Sequence, residues 1–150
     1  MEEMKKAMFQ LGDQVYGFEI SSVNTIENHI IEKPNDDMPE NVKGIVSLRG
    51  QTVPVYSLRR KFKMEEKEPD KDTKLIIVKS NNIVTAYEVD KVIRIVEFEA
   101  DQVFDTPAII KNKDTAYIKN LVNYEGSLII IMEPDGILSN EEQKRIKAGI

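Results

Sequence analysis

Apolar and polar positions alternate in short bursts along this chain, and turn residues cut nearly every burst. Met8 to Leu11 is apolar, Gly12-Asp13-Gln14 reads as a turn, and Val15 to Ile20 resumes the alternation, which together predict a β-hairpin. Ile20, Val23 and Ile26 then recur three apart, the spacing of a single helical turn tucked under a sheet, before Glu27 to Ile31 returns to extended chain. Pro34, Asn35, Asp36, Asp37 and Pro39 make a loop. Val42 to Leu48 and Thr52 to Leu58 predict strands paired across a tight turn at Arg49-Gly50, and LRRKF closes this half with one basic turn. Pro54 lies inside the second of these strands. Proline has no N–H for a ladder, so an edge strand is expected there, and edges recruit partners.

From Lys63 to Lys74 the sequence KMEEKEPDKDTK has no apolar periodicity and reads as a solvated connection. The rhythm then repeats: Leu75 to Val78 and Ile83 to Val89 flank a turn at Ser80-Asn81-Asn82. Val89, Val92 and Ile95 echo Ile20, Val23 and Ile26 at a displacement of 69 positions, and Ala116 to Tyr124 and Ser127 to Met132 straddle Glu125-Gly126 as the earlier strands straddle Arg49-Gly50. Pro134 to Leu138 predicts a helical turn. Ser139 caps a last helix with acids first and bases last, as its dipole favours. The expected organisation is all-β: one lobe over 8–62, a linker over 63–74, a second lobe over 75–138 and a C-terminal helix over 139–149. Lobes this small are expected to share a core and leave a groove where they meet.

Composition narrows the function. A net charge of −5 with scattered basic residues offers no phosphate-tracking stripe, which argues against nucleic acid. The absence of cysteine excludes disulfides, thiolate nucleophiles and zinc–cysteine sites, and fits a reducing compartment. No apolar run reaches the roughly 18–20 residues of a membrane span, and the opening segment lacks the apolar region of a secretory signal, so the cytosol is the expected location.

The residues offer little chemistry. His29, the one histidine, reads as a surface or half-buried strand residue, and no serine sits in a G-x-S-x-G turn. Asp36, Asp37 and Glu40 lack the alternation of a calcium loop, and Gly44 and Gly50 precede no phosphate-binding lysine, so no catalytic, metal or cofactor site is expected. Arg49 is the strongest candidate contact. Its planar fork is always charged and matches a carboxylate in two places, although a turn arginine can equally well pair with a neighbouring acid.

Three pieces, FQLGDQVYGFEISSVNTI, VKGIVSLRGQTVPVYSLRRKF and VTAYEVDKVIRIV, resemble in order and spacing the CheW family of bacterial chemotaxis coupling proteins. The central block resembles that family's G-x-x-N-L-R-G-x-x-V-P-V-x-D-L-R signature, with Gly44, Leu48, Arg49, Gly50, Val53, Pro54, Leu58 and Arg59 in place. It departs at Ser47, where the family usually has asparagine, and at Ser57, where it usually has aspartate, so a brace of the turn is expected to be missing. Thr25 stands where some relatives carry an acid tied to partner binding, and Asn120 where glycine is frequent.

The resemblance implies two five-stranded SH3-like β-barrels packed around a joint core. It also implies a non-enzymatic adaptor linking the cytoplasmic tip of chemoreceptors to the C-terminal regulatory domain of the histidine kinase CheA, at membrane-associated arrays through its partners and without inserting in the membrane. Val23 and Arg49 match positions tied to those contacts; Gly50 shapes the turn, Thr25 is the departing neighbour, and Ile26 and Ile95 are expected to line the groove. The alternatives are an adaptor domain cut from a larger CheV- or CheA-type protein, against which the capped tail reads as a natural end, and, from another class, a small β-barrel hydrolase or nucleotide-binding enzyme.

Overall fold

The computed structural model describes residues 4–31, 33–34 and 37–149. Its elements in chain order are β1 (Lys5–Leu11), β2 (Gln14–Glu19), β3 (Val23–Asn28), β4 (Lys33–Pro34), β5 (Val42–Leu48), β6 (Gln51–Ser57), α1 (Leu58–Lys61), β7 (Lys74–Ser80), β8 (Ile83–Val89), β9 (Lys91–Glu97), β10 (Val103–Asp105), β11 (Ile118–Tyr124), β12 (Ser127–Met132) and α2 (Asn140–Gly149). The protein is mostly β, as expected, with a C-terminal helix. Asn35 and Asp36 of the expected loop lie outside the described residues.

Two mixed sheets form, each with six strands where five were expected. Sheet I has the order β3-β7-β8-β6-β5-β4 and sheet II the order β9-β1-β2-β12-β11-β10. The sixth strand in each is very short: β4 has two residues and β10 three. Equating β1 to β6 with β7 to β12 makes the two orders identical. The halves of the chain exchange hairpins: β1–β2 completes the sheet built from β9 to β12, and β7–β8 completes the sheet built from β3 to β6. Segment 63–73 therefore joins two interleaved halves, and the expected division into lobes 8–62 and 75–138 does not match the sheets. Alternation along a strand shows which face is buried and says nothing about which strand lies beside it.

The expected helical turn over Ile20 to Ile26 is also corrected. Only Ile20–Ser22 forms a turn of 3-10 helix, and Val23 and Ile26 belong to β3. Their spacing of three comes from a β-bulge: Val23 pairs with Val78 and Ile26 with Ile76, so one extra residue on β3 brings both side chains to one face. The same device recurs in β9, where Val92 pairs with Phe9 and Ile95 with Ala7.

Pro54 does not mark an edge strand. β6 lies between β8 and β5, but its parallel ladder with β8 begins only at Val55, so the proline needs no donor on that side.

Three apolar clusters form the core. One lies against sheet I (Val46, Val53, Val55, Leu75, Ile77, Ala86), one against sheet II (Met8, Phe98, Val122, Ile129, Ile131), and the largest joins the two sheets and the helix. Rings cross that joint core in series. Phe9 lies 5.4 Å from Phe18, Phe18 5.8 Å from Tyr87, and Tyr87 5.6 Å from Tyr56 between centroids. Such pairs add about 0.5–1.5 kcal/mol each to the burial of their area, and the Phe18–Tyr87 pair joins one sheet to the other. α2 docks through Ile146, which is buried, and starts on a capping box in which Glu142 N donates to Ser139 Oγ (3.0 Å) and Ser139 N to Glu142 Oε1 (2.9 Å).

Candidate protein-binding surfaces

Arg49 and Gly50 form the two-residue turn between Leu48 and Gln51, with φ of 51° and 78°. Positive φ at both positions is the type I′ geometry that matches the twist of a hairpin. Glycine adopts it freely, whereas a left-handed arginine costs about 1–2 kcal/mol. Gly50 is there for its backbone alone, since a Cβ would meet nothing within 4 Å. Arg49 is exposed, and among the described residues no acid or carbonyl pairs with its guanidinium, which removes the reading of a turn arginine neutralised by a neighbour.

The equivalent turn of sheet II, Glu125-Gly126, has nearly the same geometry, with φ of 52° and 84°. Glu125 is exposed and unpaired among the described residues. Equivalent tips thus carry opposite charges. Sequence reasoning aligned the two turns and passed over the carboxylate; the charged residue before glycine in both Arg49-Gly50 and Glu125-Gly126 was the available signal.

The apolar candidates lie on the outer strands. β3 ends sheet I and β9 ends sheet II. By register Val23 and Ile26 share the joint-core face with Val78 and Ile76, and Val92 and Ile95 share it with Phe9 and Ala7. Val23 and Val92 are partly buried against the joint core, whereas Ile26 and Ile95 are 39% and 56% exposed. The joint core therefore runs out to solvent along both strands. Thr25 pairs with Ile77 of the sheet I cluster and faces the other side, apart from Ile26. Since β3, β8 and β6 run parallel, the Arg49 turn lies at the Val23 end of sheet I, with β7 and β8 between them.

The remaining signature residues hold the frame. Arg59 grips Asp90 with two hydrogen bonds, Nε to Oδ1 at 2.9 Å and Nη2 to Oδ2 at 2.5 Å, and Gly12 N donates to the same Oδ2 at 2.7 Å. Burial pushes the Asp90 carboxyl up, but the guanidinium and the Gly12 amide outweigh it and leave the group below the usual aspartate range. Ser57 caps α1 by accepting from Arg60 N at 3.1 Å, a contact at the far end of β6 from the Arg49-Gly50 turn. Asn120 Oδ1 is buried without a hydrogen-bond donor among the described residues. It sits at a register shift in β11, as Gly44 does in β5.

His29 is half-buried, with Nε2 2.6 Å from Glu88 Oε2, and Lys43 Nζ lies 3.0 Å from Glu88 Oε1. The cluster fastens the segment after β3 to β5 and β8. No group of three potential metal ligands occurs among the described residues, and no described helix is long and apolar enough to cross a membrane.

The family model of the CheW-like domain matches residues 6–142. The chain belongs to the CheW family. Chemotaxis protein CheW of Klebsiella aerogenes is 28% identical over 135 residues, covering 90% of this chain and 81% of that protein. CheW of Treponema pallidum is 23% identical over 149 residues, covering 97% and 88%. Among solved structures, the scaffolding protein TtCheW of Thermoanaerobacter tengcongensis superposes with a TM-score of 0.82 at 24% identity, covering 93% of this chain and 95% of that one, which establishes a shared fold. CheW proteins are chemotaxis adaptors, and this chain is a member with the signature turn intact.

Proposed function

We propose that this protein is a non-enzymatic adaptor that couples the cytoplasmic tips of chemoreceptors to the regulatory domain of the histidine kinase CheA, working in the cytoplasm at receptor arrays. The observation that carries this reading is the exposed, unpaired Arg49 on a strained turn, separate from the apolar outer strands. The strained turn is tolerable where a partner uses the side chain it presents. The rims at Ile26 and Ile95 suit the apolar stripe of a helical hairpin, while Arg49 and Glu125 at the two tips suit a charged, folded partner whose orientation they fix. Val23 supports the first surface from beneath, and Gly50 sets the geometry of the second. Weak single contacts suffice when many act together in an array.

Reconstitution of receptor fragments, kinase and adaptor tests this reading. Arg49→Glu should lower capture of the kinase while leaving receptor co-sedimentation unchanged, and Ile95→Asp should do the reverse. Full kinase stimulation with both variants would refute it.

A further inference from the structure

We infer that Glu125 is a specificity residue: it bars from the second hairpin tip the acidic partner site that Arg49 accepts at the first, so that a protein with two nearly identical tips offers that site one docking point. The inference rests on the proposed coupling, in which the kinase presents a site complementary in charge to Arg49. Hairpins β5–β6 and β11–β12 hold equivalent places in sheets of identical order. Their turns have almost the same backbone, with φ of 51° and 78° at Arg49-Gly50 against 52° and 84° at Glu125-Gly126. The two residue pairs that follow each turn down its hairpin are uncharged, ending at Ser47–Thr52 and at Asn123–Leu128. The charge difference between the tips therefore rests on Arg49 and Glu125, and an arginine at both would let the same partner dock twice.

Two observations separate Glu125 from an ordinary surface acid. Its backbone lies in the left-handed region, which a side chain enters at a cost, whereas the β7–β8 hairpin turns at φ of 54° and 63° on Asn81 and Asn82, a residue type that tolerates it. The cheaper residue is used in that hairpin and passed over at both equivalent tips, where strain is kept together with a charge. Glu125 is also exposed and has no partner among the described residues; Arg94, the cation over the neighbouring Tyr124 ring at 5.8 Å, makes no ion pair with it. A carboxylate held out and unneutralised repels a second carboxylate, and like charges brought together at an interface reject a partner that the backbone geometry would admit.

The test uses the intact protein with full-length kinase and a photo-crosslinking phenylalanine analogue in place of Thr52 or Leu128, exposed and equivalent positions beside the two tips. The otherwise unaltered protein should capture the kinase from position 52 and only weakly from position 128. Glu125→Arg, which puts at the second tip the residue that the first already accommodates, should raise capture from position 128 by about tenfold, the swing of one exposed repulsive pair turned attractive, and leave capture from position 52 unchanged. Glu125→Gln should give a smaller gain, and the exchanged variant Arg49→Glu/Glu125→Arg should capture from position 128 and not from position 52. No capture from position 52 without further substitution would refute the proposed coupling and this inference with it. Capture from position 52 with no gain at position 128 in Glu125→Arg, or equal capture from both positions while Glu125 is intact, overturns the inference alone.

Discussion

Arg59 and Asp90 form a bidentate pair that ties α1, at the end of the first half of the chain, to the junction of β8 and β9 in the second. Each side chain is about 15% exposed, at 14% and 15%, so the pair is neither buried nor freely solvated.

Removing one partner leaves the other half-buried and uncompensated, so Asp90→Asn should cost about 1–3 kcal/mol in urea unfolding. The effect has a definite sign with pH. The folded Asp90 pKa lies below its unfolded value, so the contribution is complete above the ordinary aspartate value of about 3.9 and is lost as pH falls through the folded value. Asp90→Asn should therefore flatten the acid limb of the stability curve below about pH 4 and lower the plateau above it. A parallel offset at every pH would contradict this.

The Tyr56 hydroxyl donates to Glu142 at 3.0 Å, and Asn41 Nδ2 donates to the same carboxylate at 3.1 Å. Burial and the nearby Glu142 charge both push the Tyr56 hydroxyl up, keeping it a donor throughout the working range. Tyr56→Phe should cost about 1.5–3 kcal/mol, as expected for a hydrogen bond to a charged group, and should increase amide exchange first in α2.

Arg49 stores strain that a better turn residue would release. Arg49→Asn should raise stability by up to about 1 kcal/mol, read from the urea midpoint, and at the same time weaken partner binding. Arg49→Glu should change stability by less than about 0.5 kcal/mol, because nothing in the described structure leans on the guanidinium. A stability loss comparable to that of Asp90→Asn would show that the residue belongs to the frame.

The interleaving of the halves predicts how a cut chain behaves. Cleavage at a protease site placed within 66–70 should leave two fragments that elute together and unfold in one transition, since each sheet needs strands from both. Separation into two soluble pieces without denaturant would overturn the exchanged topology.

Much of this was legible in the sequence. Turns at Arg49-Gly50, Asn81-Asn82 and Glu125-Gly126 are found where small and polar residues interrupt alternation, because only a few residue types tolerate positive φ. Ser139 foretold the start of α2 because capping is local chemistry. The displacement of 69 between Val23 and Val92 was real, and its interpretation as helical spacing was wrong: a bulge adds one residue to a period of two and so imitates one helical turn. Arg59 was singled out through its motif, but its partner Asp90 was not, since nothing between two residues so far apart in the chain marks them as neighbours.

The sequence by itself determined most of the hairpin strands, the turns, the repeat and the family, all of which rest on local backbone preferences or on residue identity, while β3 and β9 were disguised by their bulges. Tertiary structure alone decided that β1–β2 joins β9 and β12, that β6 is interior despite Pro54, and that Thr25 and Ile26 face opposite ways. Ladder hydrogen bonds are made with groups distant in the chain and are nearly blind to side-chain identity, so which strands meet is settled only when the whole core closes.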